Sequence, residues 1–265
     1  MQLGLRMIAA AAVIAGAMPA DAQLPAQSWN GYRWARTGPL VISLGNNLSA
    51  NWSSLLAPTA TAWSAAKNID FSLAAGRSNA ACGGVYGTVQ VCNGKYGANG
   101  WLGYANVWLA GGFIVQATVR LNDHYFGQPY YNTTAWRQQT ICQEIGHTLG
   151  LAHTNVIKTN LNTGSCMDYT TDPAGTAGGA NGTLANLSPN NVDFAALDGI
   201  YATVNTTQLE ATKPTMLAGE GLSVDGEDHD ELVSLVPEPG NWLLLIAGFG
   251  GIGGAMRRQR RTVTT

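Results

Sequence analysis

Cys142-Gln143-Glu144-Ile145-Gly146-His147-Thr148-Leu149-Gly150-Leu151-Ala152-His153 is the stretch from which the rest of the chain can be read. It holds two of the four histidines in 265 residues. Positions four apart share a helix face, so Gln143 and His147 project together and Glu144 lies one residue round from them. Gly150 suits a helix end. A backbone that leaves the helix there brings His153 back toward the same point. Three ligands, one open position and a carboxylate able to take a proton from water make a catalytic zinc arrangement. Gln143 is the unusual member. Its side-chain oxygen is neutral and hard, whereas zinc favours nitrogen and sulfur donors, with carboxylate oxygen next. Zinc therefore binds more weakly through Gln143, or another group or a water takes that place, or the metal has been lost.

Working outward, the stretch belongs to a helix from about Thr134 to Leu149, with Trp136, Ile141, Ile145 and Leu149 as its apolar face. Upstream, Leu40 to Leu44 is a β-branched apolar run closed by Gly45-Asn46-Asn47, a strand. Trp52, Leu55, Leu56, Ala60, Trp63 and Ala66 recur at helical spacing, so residues 51 to 67 form an amphipathic helix with Pro58 as a point of bending. Ile69 to Leu73, Thr88 to Cys92, Trp101 to Leu109 and Phe113 to Leu121 read as further strands. Residues 23 to 37 are a polar lead-in carrying Trp29, Tyr32 and Trp34. Residues 154 to 187 show little regular pattern. Ser188-Pro189 opens a closing helix to Tyr201. Strand, helix, strands, long helix, loop and helix in this order predict one α+β domain.

Four cysteines point to disulfides where a chain is exported, as the two ends described below imply, and four allow three pairings. Cys82 and Cys92 are near neighbours and close a local loop. Cys142 and Cys166 then pair across the candidate site. His124, just after a strand, is another histidine that could reach a metal, though its position reads more readily as a rim residue. His229 reads as solvated.

Glu144, His147, Gly150 and His153 fill every fixed position but the first of the metzincin zinc motif, His-Glu-x-x-His-x-x-Gly-x-x-His. Fourteen residues after His153 comes Met167, within Ser165-Cys166-Met167-Asp168-Tyr169, which looks like the Met-turn of that clan. Over about residues 38 to 201 the chain resembles small bacterial matrixin-like proteases. The resemblance implies a twisted mixed β-sheet with a long zinc-site helix, a Met-turn and a C-terminal helix. It implies one catalytic zinc on His147, His153 and Gln143, with Glu144 as general base. Met167 becomes the floor of the site, Gly150 the turn after the helix, and Tyr169 a helper at the oxyanion. The substrate is then a protein or peptide. The alternative is a catalytically impaired metzincin-like surface domain that binds protein or matrix material, because Gln143 replaces the first ligand. Asp- and Gly-bearing loops could hold calcium, but nothing in them fixes a site.

The two ends speak of export. Arg6, the apolar run Met7 to Met18 and the small residues Ala20-Asp21-Ala22 form a signal peptide over residues 1–22. The candidate domain spans 23–204. Residues 205–235 turn polar and then acidic, with Asp225, Glu227, Asp228, Asp230 and Glu231, and read as a flexible linker. Val236-Pro237-Glu238-Pro239, the apolar run 242–256 and Arg257-Arg258-Gln259-Arg260-Arg261 resemble a PEP-CTERM sorting signal over 236–261. That resemblance implies a Gram-negative exported protein, handled by signal peptidase and an exosortase-type enzyme. Such a protein is held at the membrane facing the periplasm or, once sorted, displayed outside the cell. The apolar run is 15 residues, short of the ~20 of a full span. The basic cluster after it would stay cytoplasmic. With a net charge of −2 and 11% charged residues, the chain lacks the basic surface a nucleic-acid partner requires.

Overall fold

A computed structural model describes residues 27–202 and the backbone of 215–220. The signal peptide, most of the linker and the sorting tail expected from the sequence lie outside the described residues. Among the described residues no helix is long and apolar enough to cross a membrane.

The sheet begins with β1 (Leu40–Asn47), followed by helix α1 (Ala50–Trp63), β2 (Ile69–Ala75), β3 (Thr88–Gly94), β4 (Gly103–Ala110) and β5 (Phe113–Asn122). β2, β1, β3 and β5 run parallel to their neighbours, and β4 pairs antiparallel with β5. With β6 (Thr215–Glu220) antiparallel on the outer side of β4, the order is β2-β1-β3-β5-β4-β6. A mostly parallel sheet needs covering. α1 and α3 (Thr134–Thr148) pack against each other, and α3 lies on β4 and β5. Between them Trp52, Trp63, Ile141, Ile145, Val107, Val119 and Leu121 are fully or almost fully buried. On β5, Gln116 and Arg120 are half-buried, and Thr118 is fully buried.

α1 passes through Pro58 without ending. Pro58 and Ser54, whose carbonyl loses its helical partner, are both exposed, so water can replace the missing donor. Asn122-Asp123-His124-Tyr125-Phe126 does more than end β5. Asp123–Phe126 forms the short helix α2, capped by the Asn122 side chain. The closing helix α4 (Asn191–Ile200) starts later than Ser188-Pro189 suggested. Asn190 and Asp193 make a reciprocal capping box, a stronger start than a serine hydroxyl alone. The loop from 154 to 187 has one 3-10 turn, Gly179–Asn181.

The stretch expected as a flexible linker over 205–235 contains β6, which joins the sheet. Its apolar and glycine-bearing residues lie ahead of the acidic run that dominated the composition.

Candidate metal centre

α3 starts at Thr133, whose hydroxyl accepts from the Trp136 amide at 3.2 Å. Its other end decides the site. The last carbonyls of a helix have no helical partner, and here each has another. Gly146 O accepts from Leu149 and Leu151, and His147 O from Gly150 at 2.9 Å, a Schellman closure. Thr148 O accepts from the Trp34 indole at 2.7 Å and Leu149 O from the Tyr201 hydroxyl at 2.9 Å. Gly150 O accepts from Trp29 N at 2.8 Å. Gly150 sits at φ +89, and a β-carbon there would stand 1.9 Å from Tyr32 O. Glycine is required twice over, for the left-handed turn and for the close approach of the lead-in.

This exit returns His153 to His147. Their Nε2 atoms are 3.1 Å apart, and the rings meet edge to face at 4.6 Å. The Nδ1 of His147 lies 2.8 Å from Leu151 O. A carbonyl only accepts, so Nδ1 carries the hydrogen and the Nε2 lone pair points at His153. Desolvation first, and His147 second, hold His153 well below the ordinary histidine range, so it too offers a lone pair at neutral pH. Two imidazole nitrogens bound to one zinc at about 2.0–2.1 Å would lie roughly 3.3 Å apart in tetrahedral geometry. The observed separation is close to that.

Gln143 is fully buried one turn before His147. Its Nε2 donates to Cys166 O at 2.9 Å, while its Oε1 is buried with no hydrogen-bond partner among the described residues. An orphaned buried acceptor costs about 1–3 kcal/mol, a cost a cation or an ordered water removes. Two imidazole nitrogens and an amide oxygen are donor types a cation accepts, and the Gln143 oxygen has no hydrogen bond within the described residues. Among the described residues no group of three or more His, Cys, Asp or Glu is gathered for a metal.

Glu144 is fully buried on α3. It lies against Gly103 at the start of β4, where a β-carbon would come within 2.6 Å of Glu144 Cγ and 2.7 Å of Oε1. The segment after His153 runs beside the stretch that resembles a Met-turn. Thr154 N donates to Met167 O at 2.8 Å and Tyr169 N to Asn155 O at 2.9 Å. Met167 is buried beneath Gly146. Tyr169 is buried edge-on to the His153 ring at 4.5 Å, with the Lys158 ammonium 5.8 Å from the tyrosine ring centroid. Asp168 anchors this turn to the loop on either side of it, accepting from Thr163 N at 2.9 Å before it and from Asn186 Nδ2 at 3.0 Å after it. Burial outweighs these bonds and raises its pKa. Cys142–Cys166 and Cys82–Cys92 are both disulfide-bonded, the pairing expected from spacing. His124 lies exposed on α2 against Tyr125.

Gly146 gives a direct check of this packing. An added β-carbon would sit 2.4 Å from Met167 Sδ and 2.7 Å from Trp63 Cζ2. Gly146→Ala is expected to lower stability by about 1–3 kcal/mol, the usual cost of overpacking, read as a lower denaturant midpoint at unchanged m-value.

Sequence reasoning missed the lead-in. Trp29, Tyr32 and Trp34 clamp the exit of α3 and set the Trp29 ring 5.9 Å from that of His147. The density of tryptophan in a polar segment was the available signal. Leu151 O and Gly103 act through backbone position, which side-chain identity does not reveal.

No family model matches the chain, and no curated protein matches it. Solved structures do. Myroilysin is similar at 15% identity and TM-score 0.37, over 67% of this chain and 99% of that one. High choriolytic enzyme 1, a hatching-enzyme zinc-protease from the medaka fish Oryzias latipes, is similar at 13% identity and TM-score 0.33, over 70% and 98%.

Proposed function

We propose that the domain is an exported metzincin-like zinc metalloendopeptidase acting on protein or peptide substrates. The observation that carries this reading is the pair of histidine nitrogens 3.1 Å apart, with the His147 tautomer fixed by Leu151 O. Gln143, one helical turn before His147, has a buried Oε1 with no hydrogen-bond partner among the described residues, and it would be the third donor. His147, His153 and Gln143 would hold the zinc. Bound there, zinc lowers the pKa of a water to about 7 and polarises a carbonyl. Glu144 takes the proton of the attacking water and passes it to the leaving amine. The hydroxyl of that water ends on the carbonyl carbon as the C–N bond breaks. Tyr169 holds the His153 ring from the side and is the candidate oxyanion donor. Met167 and the disulfide fix the floor. Two disulfides support an oxidising compartment, in keeping with the export and sorting signals read from the termini.

A second reading is a metzincin-like surface domain that binds protein without cutting it. The neutral amide at position 143, already engaged with Cys166 O, favours it. Metal analysis separates the two. The purified full chain dialysed against zinc is expected to retain about one equivalent, and Gln143→His to bind it more tightly. Metal-free protein at saturating zinc would sink the enzyme reading. Unchanged affinity in Gln143→His would place residue 143 outside the ligand sphere.

A further inference from the structure

The outer edge of β4 is covered by the chain itself. β6 pairs with it antiparallel in the register Ala105↔Glu220, Asn106↔Gly219 and Val107↔Ala218, then, past an irregularity, Trp108↔Met216 and Leu109↔Thr215. The other side of β4 is bonded to β5, so β6 takes the main-chain donors and acceptors that would otherwise form a free edge. β4 is also the strand that reaches the candidate catalytic carboxylate, because Gly103 lies against Glu144. The antiparallel register puts the Glu220 end of β6 toward that same end of β4.

An exposed strand edge is a template for an extended peptide, which adds to it through main-chain bonds with little demand on sequence. A peptide laid along β4 toward Glu144 needs the groups that β6 uses. β6 is also a light occupant. It has six residues including a glycine, and β4 is the one element with which it makes extended contact among the described residues. Short strands with few supporting contacts open at low free-energy cost. A tether keeps such a segment at high effective concentration over its site, so it competes strongly while staying displaceable.

We propose that Thr215–Glu220 is a cis-acting competitor strand that covers the peptide-docking edge of β4, so that substrate peptides bind only as β6 leaves. The fate of the docked peptide rests on the peptidase reading. The competition does not, since it is a statement about binding.

The test uses the full chain with Glu144→Gln, which prevents turnover, alone and combined with Ala218→Pro and Gly219→Pro. Neighbouring strand residues turn their N–H groups to opposite sides, so two adjacent prolines remove one ladder bond whichever residue faces β4. The probe is a fluorescein-labelled peptide of residues 213–222, followed by anisotropy. Release of β6 is expected to tighten binding by about tenfold or more, the factor for an edge covered nine-tenths of the time. Equal affinity in the two proteins overturns the proposal. So does a dimer in sedimentation of the parent chain that the prolines convert to monomer, because the strand would then be exchanged between copies. Should the proline variant not fold, hydrogen exchange on the parent chain decides. Saturating peptide is expected to expose the amides of 215–220 while 105–109 stay protected. Unchanged protection of 215–220 with peptide bound overturns the proposal. Restoring Glu144 adds a separate readout. Tighter peptide binding without hydrolysis would defeat the peptidase reading and leave the competitor strand standing.

Discussion

Replacing Glu144 by glutamine is expected to lower peptide hydrolysis by about 10²–10⁴-fold, the usual contribution of a positioned general base, with fold and metal content unchanged. The reasoning is steric as well as chemical. Glu144 is fully buried, and its Cγ and Oε1 fill the space that Gly103 leaves. Glutamine has the same shape and keeps that contact, but cannot take a proton from water at neutral pH. Alanine would confound the result by opening a cavity against β4. The measurement is kcat on an internally quenched peptide, beside the melting temperature and zinc content of the same preparations. Unchanged turnover places the base elsewhere. A parallel loss of several degrees in melting temperature assigns Glu144 to structure. If the domain only binds protein, the substitution alters neither partner affinity nor a hydrolysis that was never present.

What the sequence revealed and what it hid divide along a physical line. The strands, α1 and α3 were legible because their apolar residues repeat at the periods their backbones impose, as in Trp52, Leu56, Ala60 and Trp63. The meeting of His147 and His153, six residues apart, was legible because the helix fixes where His147 projects and one glycine turns the chain back locally. The disulfides followed from the nearness of Cys82 to Cys92. The remainder depends on distant backbone. The carbonyls that receive Trp34, Tyr201 and Trp29 at the end of α3 come together only after residues far apart in sequence have met. The pairing of 215–220 with β4 was hidden because the acidic run that follows made the whole segment look like linker. Asn190 displaced Ser188 as the cap of α4 because the reciprocal bond from Asp193 cannot be seen in one residue type.

The position of Gln143 shows how these two kinds of information combine. Motif spacing puts a ligand there, and chemistry says an amide is a poor one. The structure adds that the amide nitrogen is committed to Cys166 O, which leaves the oxygen as the free end. Only the oxygen end of a glutamine binds a cation, and an unrestrained one could turn its NH2 there instead. This one is held with its acceptor available, and the restraint comes from the turn that carries Cys166.

That restraint sets the second large effect, for the double variant Cys142→Ala and Cys166→Ala. The bond links α3 to the turn across 24 residues, and both cysteines are fully buried. The chain-entropy relation gives about 3.5 kcal/mol for a loop of this length, which for a domain of this size is a fall of roughly 7–14 °C in melting temperature. Alanine leaves no new buried polar group, so the loss reports the cross-link and a small cavity. Zinc affinity is expected to fall as well, by about 10–100-fold, the usual cost of losing an outer partner that orients a ligand. Here the partner is Cys166 O and the ligand is Gln143. The pair Cys82→Ala and Cys92→Ala separates the two effects. It opens a ten-residue link worth about 2.7 kcal/mol on the same relation, outside the His147–His153 centre, and should lower the melting temperature while leaving zinc affinity as it was. Equal loss of affinity in both double variants would make the weakening a general consequence of lower stability. Unchanged affinity in the Cys142 and Cys166 variant would mean that the turn does not orient Gln143 for zinc.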